Sequence, residues 1–201
     1  MRLRDGVPYE AVFTIKAGKL PLVVPLGFVK RGNKVFVRVY KSASFIDQIT
    51  SSRLVVANAV RDPTMFYYAA FEREKRFQGD VFEYEGNGLP VLKIAEGYIV
   101  LELVSLRDRG EVVELEYEVK EIADKGGEVE PYTRCDALAI EAIIYATKIK
   151  ALANTNSPDF ERALAGYRYS ASTLRRICSE NYLGLLDRIE ERVRTYEESR
   201  G

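Results

Sequence analysis

The sequence predicts an α+β protein, a small β-barrel over residues 1–130 followed by a helical segment over 131–201. Three observations carry this. Short β-branched and aromatic runs separated by tight turns fill the first part, and six or so such strands suit a barrel. After Pro131 the hydrophobic period becomes helical. Between the two patterns lies a glycine-containing break, Lys125-Gly126-Gly127-Glu128.

Glu10 to Lys16 reads as the first strand, turned by Ala17-Gly18-Lys19. Pro21 to Val29 is an apolar run whose prolines, Pro21 and Pro25, cannot donate ladder hydrogen bonds. This strand is therefore an edge, bulged or irregular. Arg31-Gly32-Asn33-Lys34 turns the chain again, and Val35 to Tyr40 returns with alternation. Ser44-Phe45-Ile46-Asp47 has the form of a capping box and opens a short helix. Leu54 to Val60 is a further strand, ended by Arg61-Asp62-Pro63, and Phe66 to Phe71 suits helix or strand. Tyr98 to Leu106 and Val112 to Ile122 are two long strands around Arg107-Asp108-Arg109-Gly110. In the second, Glu114, Glu116 and Glu118 alternate with Leu115, Tyr117 and Val119, giving one solvated and one buried face. Beyond the break, Asp136 to Lys150 is apolar nearly all round and reads as a buried helix. Pro158 suits the first turn of the next helix, and Leu186, Ile189, Val193 and Tyr196 share one face of the last.

The chain contains no histidine. That removes Ser-His-Asp and Cys-His catalysis and every histidine-containing metal site, and no metal site is predicted. Proton handling near neutral pH then falls to another group or a bound cofactor, and no catalytic residue can be named. Cys135 and Cys178 lie in no metal-like or redox-like spacing and are expected as reduced core residues of a cytoplasmic protein. No stretch is long and apolar enough for a membrane span, and no secretory signal is visible.

The net charge is zero, but residues 1–64 hold eleven Lys/Arg against four Asp/Glu, while residues 65–130 hold eight against sixteen. Either the first third faces an anion, or the two segments neutralise each other across adjacent strands.

The local feature best suited to chemistry is Tyr40-Lys41-Ser42-Ala43-Ser44, a strand end running into a helix start. Backbone N–H groups, two hydroxyls and a lysine converge there, as a phosphate site requires. The plainer reading is that Ser44 caps the helix and Lys41 is solvated. Asp47, in the first helical turn, competes for the same positive end. Asn58, inside an apolar strand, must find partners in backbone or ligand. Glu141, a lone acid on an apolar helix, is either a proton-handling group or paired with an arginine such as Arg134. Neither glycine-rich phosphate loop is present, and the tyrosines lack the pattern of an RNA-reading sheet.

Taken in order, these residues resemble the domain of unknown function family 447. The resemblance runs through Glu10, Pro25-Leu26-Gly27, Tyr40-Lys41-Ser42-Ala43-Ser44-Phe45, Val55 to Pro63, Phe66, Arg134 and Ile140 to Ile144. It implies a split β-barrel that binds FMN, followed by helices, with the flavin at the subunit boundary of a homodimer. By that likeness the phosphate sits near Lys41, Ser42 and Ser44, and the isoalloxazine ring lies along Pro25 to Gly27 with Asn58 close by; Tyr40 and Phe45 are also cofactor-binding residues. The family usually has threonine where Ser44 stands and asparagine where Asp47 stands. An asparagine is also common shortly before Pro25, where this chain has Leu22, Val23 and Val24.

The function so implied is that of an FMN-binding protein, flavin reductase-like, passing hydride from NAD(P)H. A cofactor-free split-barrel dimer with a structural or regulatory role is the alternative. Nucleic-acid binding by the basic first third ranks last.

Overall fold

The computed structural model describes residues 3, 5–6, 8–18, 20–86, 88–126, 134–178 and 180–199. The chain forms two compact units, one of Met1–Arg61 and Phe71–Val129 and one of Asp62–Ala70 and Glu130–Gly201. The boundary expected near residue 130, with Gly127, Glu128 and Pro131, lies outside the described residues. Residues 62–70, counted with the barrel from the sequence, group with the helices.

In the first unit the strands are β1 (Pro8–Ile15), β2 (Leu22–Arg31), β3 (Lys34–Tyr40), β4 (Leu54–Ala59), β7 (Gly97–Asp108) and β8 (Val112–Asp124). They close an antiparallel barrel in the order β1-β2-β3-β8-β7-β4. Alternation sends Ala11, Phe13 and Ile15, Val24, Leu26 and Phe28, and Val35, Val37 and Val39 inward, where they meet Leu115 and Tyr117 of β8. Helix α1 (Ile46–Ser51) adds Ile49, fully buried, to that core. A hairpin of β5 (Phe82–Glu85) and β6 (Leu89–Leu92) lays Leu89 and Val91 on Val56, Tyr98 and Val100 outside the barrel. A short helix, α3 (Arg73–Arg76), lies beside β2.

Register decides what becomes of the charge asymmetry. β3 pairs with β8, bringing Lys34 opposite Glu118 and Arg38 opposite Glu114. Lys34 bonds Glu116, Arg38 bonds Glu114, Arg53 bonds Glu102 and Arg61 bonds Glu96. Neutralisation between strands is therefore the reading the structure supports. It also corrects the expected solvated face of β8, because Glu116 is only 8 % exposed beneath those cations. Lys34, helped by Ser105 and Arg107, holds its carboxyl below the ordinary range against the opposing effect of burial.

Gly97 stands where β7 meets the end of β8. A Cβ there would lie 2.7 Å from the Ala123 carbonyl oxygen. Gly97→Ala is expected to lower stability by about 1–3 kcal/mol, because backbone rather than a flexible side chain must move. Urea unfolding measures this, and an unchanged midpoint would mean the strand shifts freely.

The second unit contains Asp62 and residues 63–70 of α2 (Pro63–Phe71), then α4 (Arg134–Leu152), α5 (Asp159–Ile177) and α6 (Glu180–Glu198). Phe66 to Phe71, ambiguous in sequence, is helical. Asp62 accepts the Thr64 amide at 2.8 Å, so Arg61-Asp62-Pro63 is the entry turn of α2. Arg188 of α6 lies over Tyr67 and Tyr68, 4.8 and 5.7 Å from the ring centroids. Ala139, Ile143, Ala146 and Ile149 of α4 are buried, as are Leu186, Ile189 and Val193 of α6.

Three expectations are corrected. Cys135 and Cys178 are not reduced core thiols but a disulfide with a Cα separation of 5.8 Å. Antiparallel packing of α4 and α5 brings the start of one to the end of the other, which a sequence separation of 43 conceals. Glu141 is exposed rather than buried, so its proton-handling reading lapses. The side chain of Arg134 is outside the described set. The capping box at Ser44 does not form: the N-cap position is Phe45, without a side-chain cap. Among the described residues, no helix is long and apolar enough to cross a membrane.

Candidate functional site

The site grows from a break in strand pairing. β2 keeps β1 as partner along its length, from Pro8 opposite Val29 to Ile15 opposite Leu22. Its ladder with β3 runs only from Arg31 opposite Lys34 to Phe28 opposite Val37. Beyond that rung, Leu22–Gly27 and Arg38–Tyr40 part, and β3 continues with β8 alone. The edge or bulge expected from the prolines is not found: β2 lies between β1 and β3, its ladder with β1 passes through Pro25 without a shift, and its only irregularity is the incomplete pairing with β3.

On β2, Leu26 points into the core while Pro25 and Gly27 face outward. Gly27 is exposed, and its rung partner is Glu10 of β1. A Cβ on Gly27 would lie 3.0 Å from Glu10 Oε1, so the carboxylate rests over the space that the missing side chain leaves. Pro25 and Gly27 together make a low outer surface.

The turn after β3 holds the predicted polar residues. Tyr40 is half-buried, and its carbonyl accepts the Ala43 amide at 3.0 Å. Lys41 donates its amide to Glu111 and its Nζ to Asp108 Oδ2 at 2.7 Å. That bond, with the Gly110 amide, holds the Asp108 carboxyl below its ordinary value. The pair is exposed at 44 % and 68 %, so it is weak and easily exchanged. Ser42 and Ser44 are exposed, and Phe45 packs half-buried against the barrel core. Among the described residues, the amides of Ser44, Phe45, Asp47 and Gln48 reach no backbone carbonyl. Asp47 is exposed, and its carboxylate bonds to no described neighbour, so it does not fill this turn.

One cation at the turn escaped the sequence. Arg73, from α3, donates from Nη2 to Ser44 Oγ at 2.9 Å, and its guanidinium carbon stands 5.9 Å from the Phe45 ring centroid. Unlike Lys41, it has no acidic partner among the described residues. The run Arg73-Glu74-Lys75-Arg76 is visibly basic, but nothing in it points to a serine 29 positions earlier.

Asn58 belongs elsewhere. It is fully buried on the outer side of β4 and donates to the Val12 carbonyl at 2.9 Å and to Thr14 Oγ1 at 3.0 Å. Its Oδ1 accepts the Leu92 amide at 2.9 Å. The choice between backbone and ligand is thus decided for structure: Asn58 ties β4, β1 and β6 together and offers no surface to a flavin ring.

A family model described as the N-terminal domain of a protein of unknown function, DUF447, matches residues 9–124. No curated protein matches the chain. Among solved structures, the FMN-bound protein MM1853 of Methanosarcina mazei, assigned to the same family model, is similar with a TM-score of 0.75 at 21 % identity. The match covers 94 % of this chain and 96 % of that one. An FMN-binding protein from Thermus thermophilus with bound 1-cyclohex-2-enone gives 0.53 at 15 % identity, over 62 % of this chain and 75 % of that one. The NADH:FAD oxidoreductase SgcE6 of Streptomyces globisporus gives 0.50 at 17 % identity, over 59 % and 76 %. The chain therefore shares the split-barrel fold of these structures, with helices following.

Proposed function

The chain belongs to the DUF447 family, and from that premise we propose that it binds FMN along the seam between β2 and β3 and acts as an FMN-dependent oxidoreductase. The observation that carries the reading is the seam itself, with a low outer surface at Pro25 and Gly27 on its β2 side and, at the end of its β3 side, a turn rich in hydroxyls and unpaired amides. The donor set fits the group. Ser42 and Ser44 offer hydroxyls and Lys41 an ammonium whose bond to Asp108 is readily exchanged, which suits a phosphate dianion. Pro25, Leu26 and Gly27 would bear the isoalloxazine ring, with Tyr40 and Phe45 bordering the site and Asn58 contributing only by bracing β1. Bound FMN supplies two-electron hydride chemistry. The chain's own part is to hold the phosphate, present the ring on a strand without bulky side chains, and exclude water. With no histidine available, a proton exchanged at the ring edge would come from a carboxylate such as Glu10, a hydroxyl or water.

Hydride would come from NAD(P)H, and the working form would be a homodimer. Val104 and Leu106, exposed at the end of β7, support a second copy, which would cover them. One observation favours the alternative, a cofactor-free dimer with a structural or regulatory role: the Glu10 carboxylate lies where a ring would pass over Gly27. Nucleic-acid binding loses its motive, because Lys34, Arg38, Lys41, Arg53 and Arg61 all bond acids.

Titrating purified protein with FMN separates the readings. Flavin binding predicts quenching of FMN fluorescence with a Kd of about 1 μM, roughly 8 kcal/mol of affinity. Unchanged fluorescence at concentrations well above that would leave the cofactor-free dimer.

A further inference from the structure

We infer that Arg73, rather than Lys41, is the cation that distinguishes a phosphorylated flavin from its dephosphorylated form; the inference rests on the flavin reading above. Three observations carry it. The guanidinium is already placed, by its 2.9 Å bond to Ser44 Oγ and by its position over the Phe45 ring. It has no carboxylate to neutralise it among the described residues, whereas Lys41 is bonded to Asp108. And α3, which carries it, lies beside β2, the strand that would bear the ring.

The hydrogen-bond inventory agrees. Ser44 Oγ accepts from Arg73 and keeps its own O–H to donate. The guanidinium has five N–H donors, and the bond to Ser44 uses one. The rest can meet two phosphoryl oxygens in the paired geometry that a lysine cannot offer. Serine and arginine thus converge on one anion, and the Phe45 ring limits the sweep of the side chain. Lys41 must first leave Asp108, so its net contribution is smaller.

The test compares FMN with riboflavin on the wild type, Arg73→Ala, Arg73→Lys and Lys41→Ala, read by fluorescence quenching, with unfolding curves as the control. Arg73→Ala should weaken FMN by about 10- to 100-fold while riboflavin changes by less than about twofold, as expected for loss of a charge-assisted bond to phosphate alone. Arg73→Lys should recover part of the loss, and Lys41→Ala should cost less than Arg73→Ala. An unchanged ratio of FMN to riboflavin affinity in Arg73→Ala would overturn the assignment while leaving flavin binding intact. Equal losses for both flavins would also overturn it, as a general disturbance of the site. A wild type that binds neither flavin would remove the flavin reading and this assignment together.

Discussion

Asn58→Ala is expected to destabilise the barrel unit by about 3–5 kcal/mol, because it leaves several buried polar groups without partners. The amide is fully enclosed and serves the Val12 carbonyl, the Thr14 hydroxyl and the Leu92 amide together. Thr14 in turn donates to the Pro90 carbonyl, so one side chain couples β4 and β1 to the β5–β6 hairpin. Truncation opens a small void and breaks three bonds that water cannot reach to replace. Asn58→Asp sharpens the test. It keeps the shape but turns a carboxylate oxygen toward the Val12 and Val56 carbonyls that the amide nitrogen now faces. Burial would raise that acid's pKa in the folded state. The folded form then binds the proton more tightly than the unfolded one, so the deficit should grow as pH rises above about 4 and shrink below it. Urea unfolding across pH measures both variants. A loss under about 1 kcal/mol for Asn58→Ala would mean that the hairpin is held by its apolar contacts alone.

Reduction of the Cys135–Cys178 disulfide is the second large effect. The bond closes a loop over 43 positions, joining the start of α4 to the residue after α5. Chain-entropy reasoning gives a contribution of about 4 kcal/mol for a loop of this size. For a unit of this length that corresponds to a fall of roughly 15–30 °C in Tm. The double variant Cys135→Ser/Cys178→Ser should match the chemically reduced protein, since both remove the same constraint on the unfolded chain. Thermal melts followed by circular dichroism of the helices read it out. Coincident melts of oxidised and reduced protein would show that α4 and α5 need no covalent tie.

Much of the barrel was legible because its signals are local. Alternation in Val35–Tyr40 and in Glu114–Val119, and the turns at Gly32 and Gly110, follow from a period of two and from turn chemistry. Pro25 suggested an edge or bulged strand, but its ladder with β1 is regular, and the break in pairing with β3 follows from the barrel's topology rather than from a local signal. The β5–β6 hairpin escaped, although Gly86-Asn87-Gly88 between Phe82–Glu85 and Leu89–Leu92 is a turn signal of the ordinary kind. What could not be read depends on contacts between distant positions. The capping box failed because the helix begins at Ile46 with Phe45 at the N-cap position, which leaves Ser44 one residue outside it, bonded to Arg73 across 29 residues. The cysteines paired because two helices run antiparallel, and Asn58 turned structural because the unforeseen hairpin covers it. In the candidate site, the hydroxyls and Pro25–Gly27 were visible in sequence; the engagement of Lys41 and the presence of Arg73 were not.

A crystal of the protein grown with FMN tests the central proposal most directly. Expected is a phosphate within hydrogen-bond distance of Ser44 Oγ and the Arg73 guanidinium, the ring along Pro25–Gly27, and the Glu10 carboxylate moved off Gly27. Density for FMN at another place on the chain, or saturating FMN with Glu10 still seated over Gly27 and the Lys41–Phe45 turn empty, would contradict it.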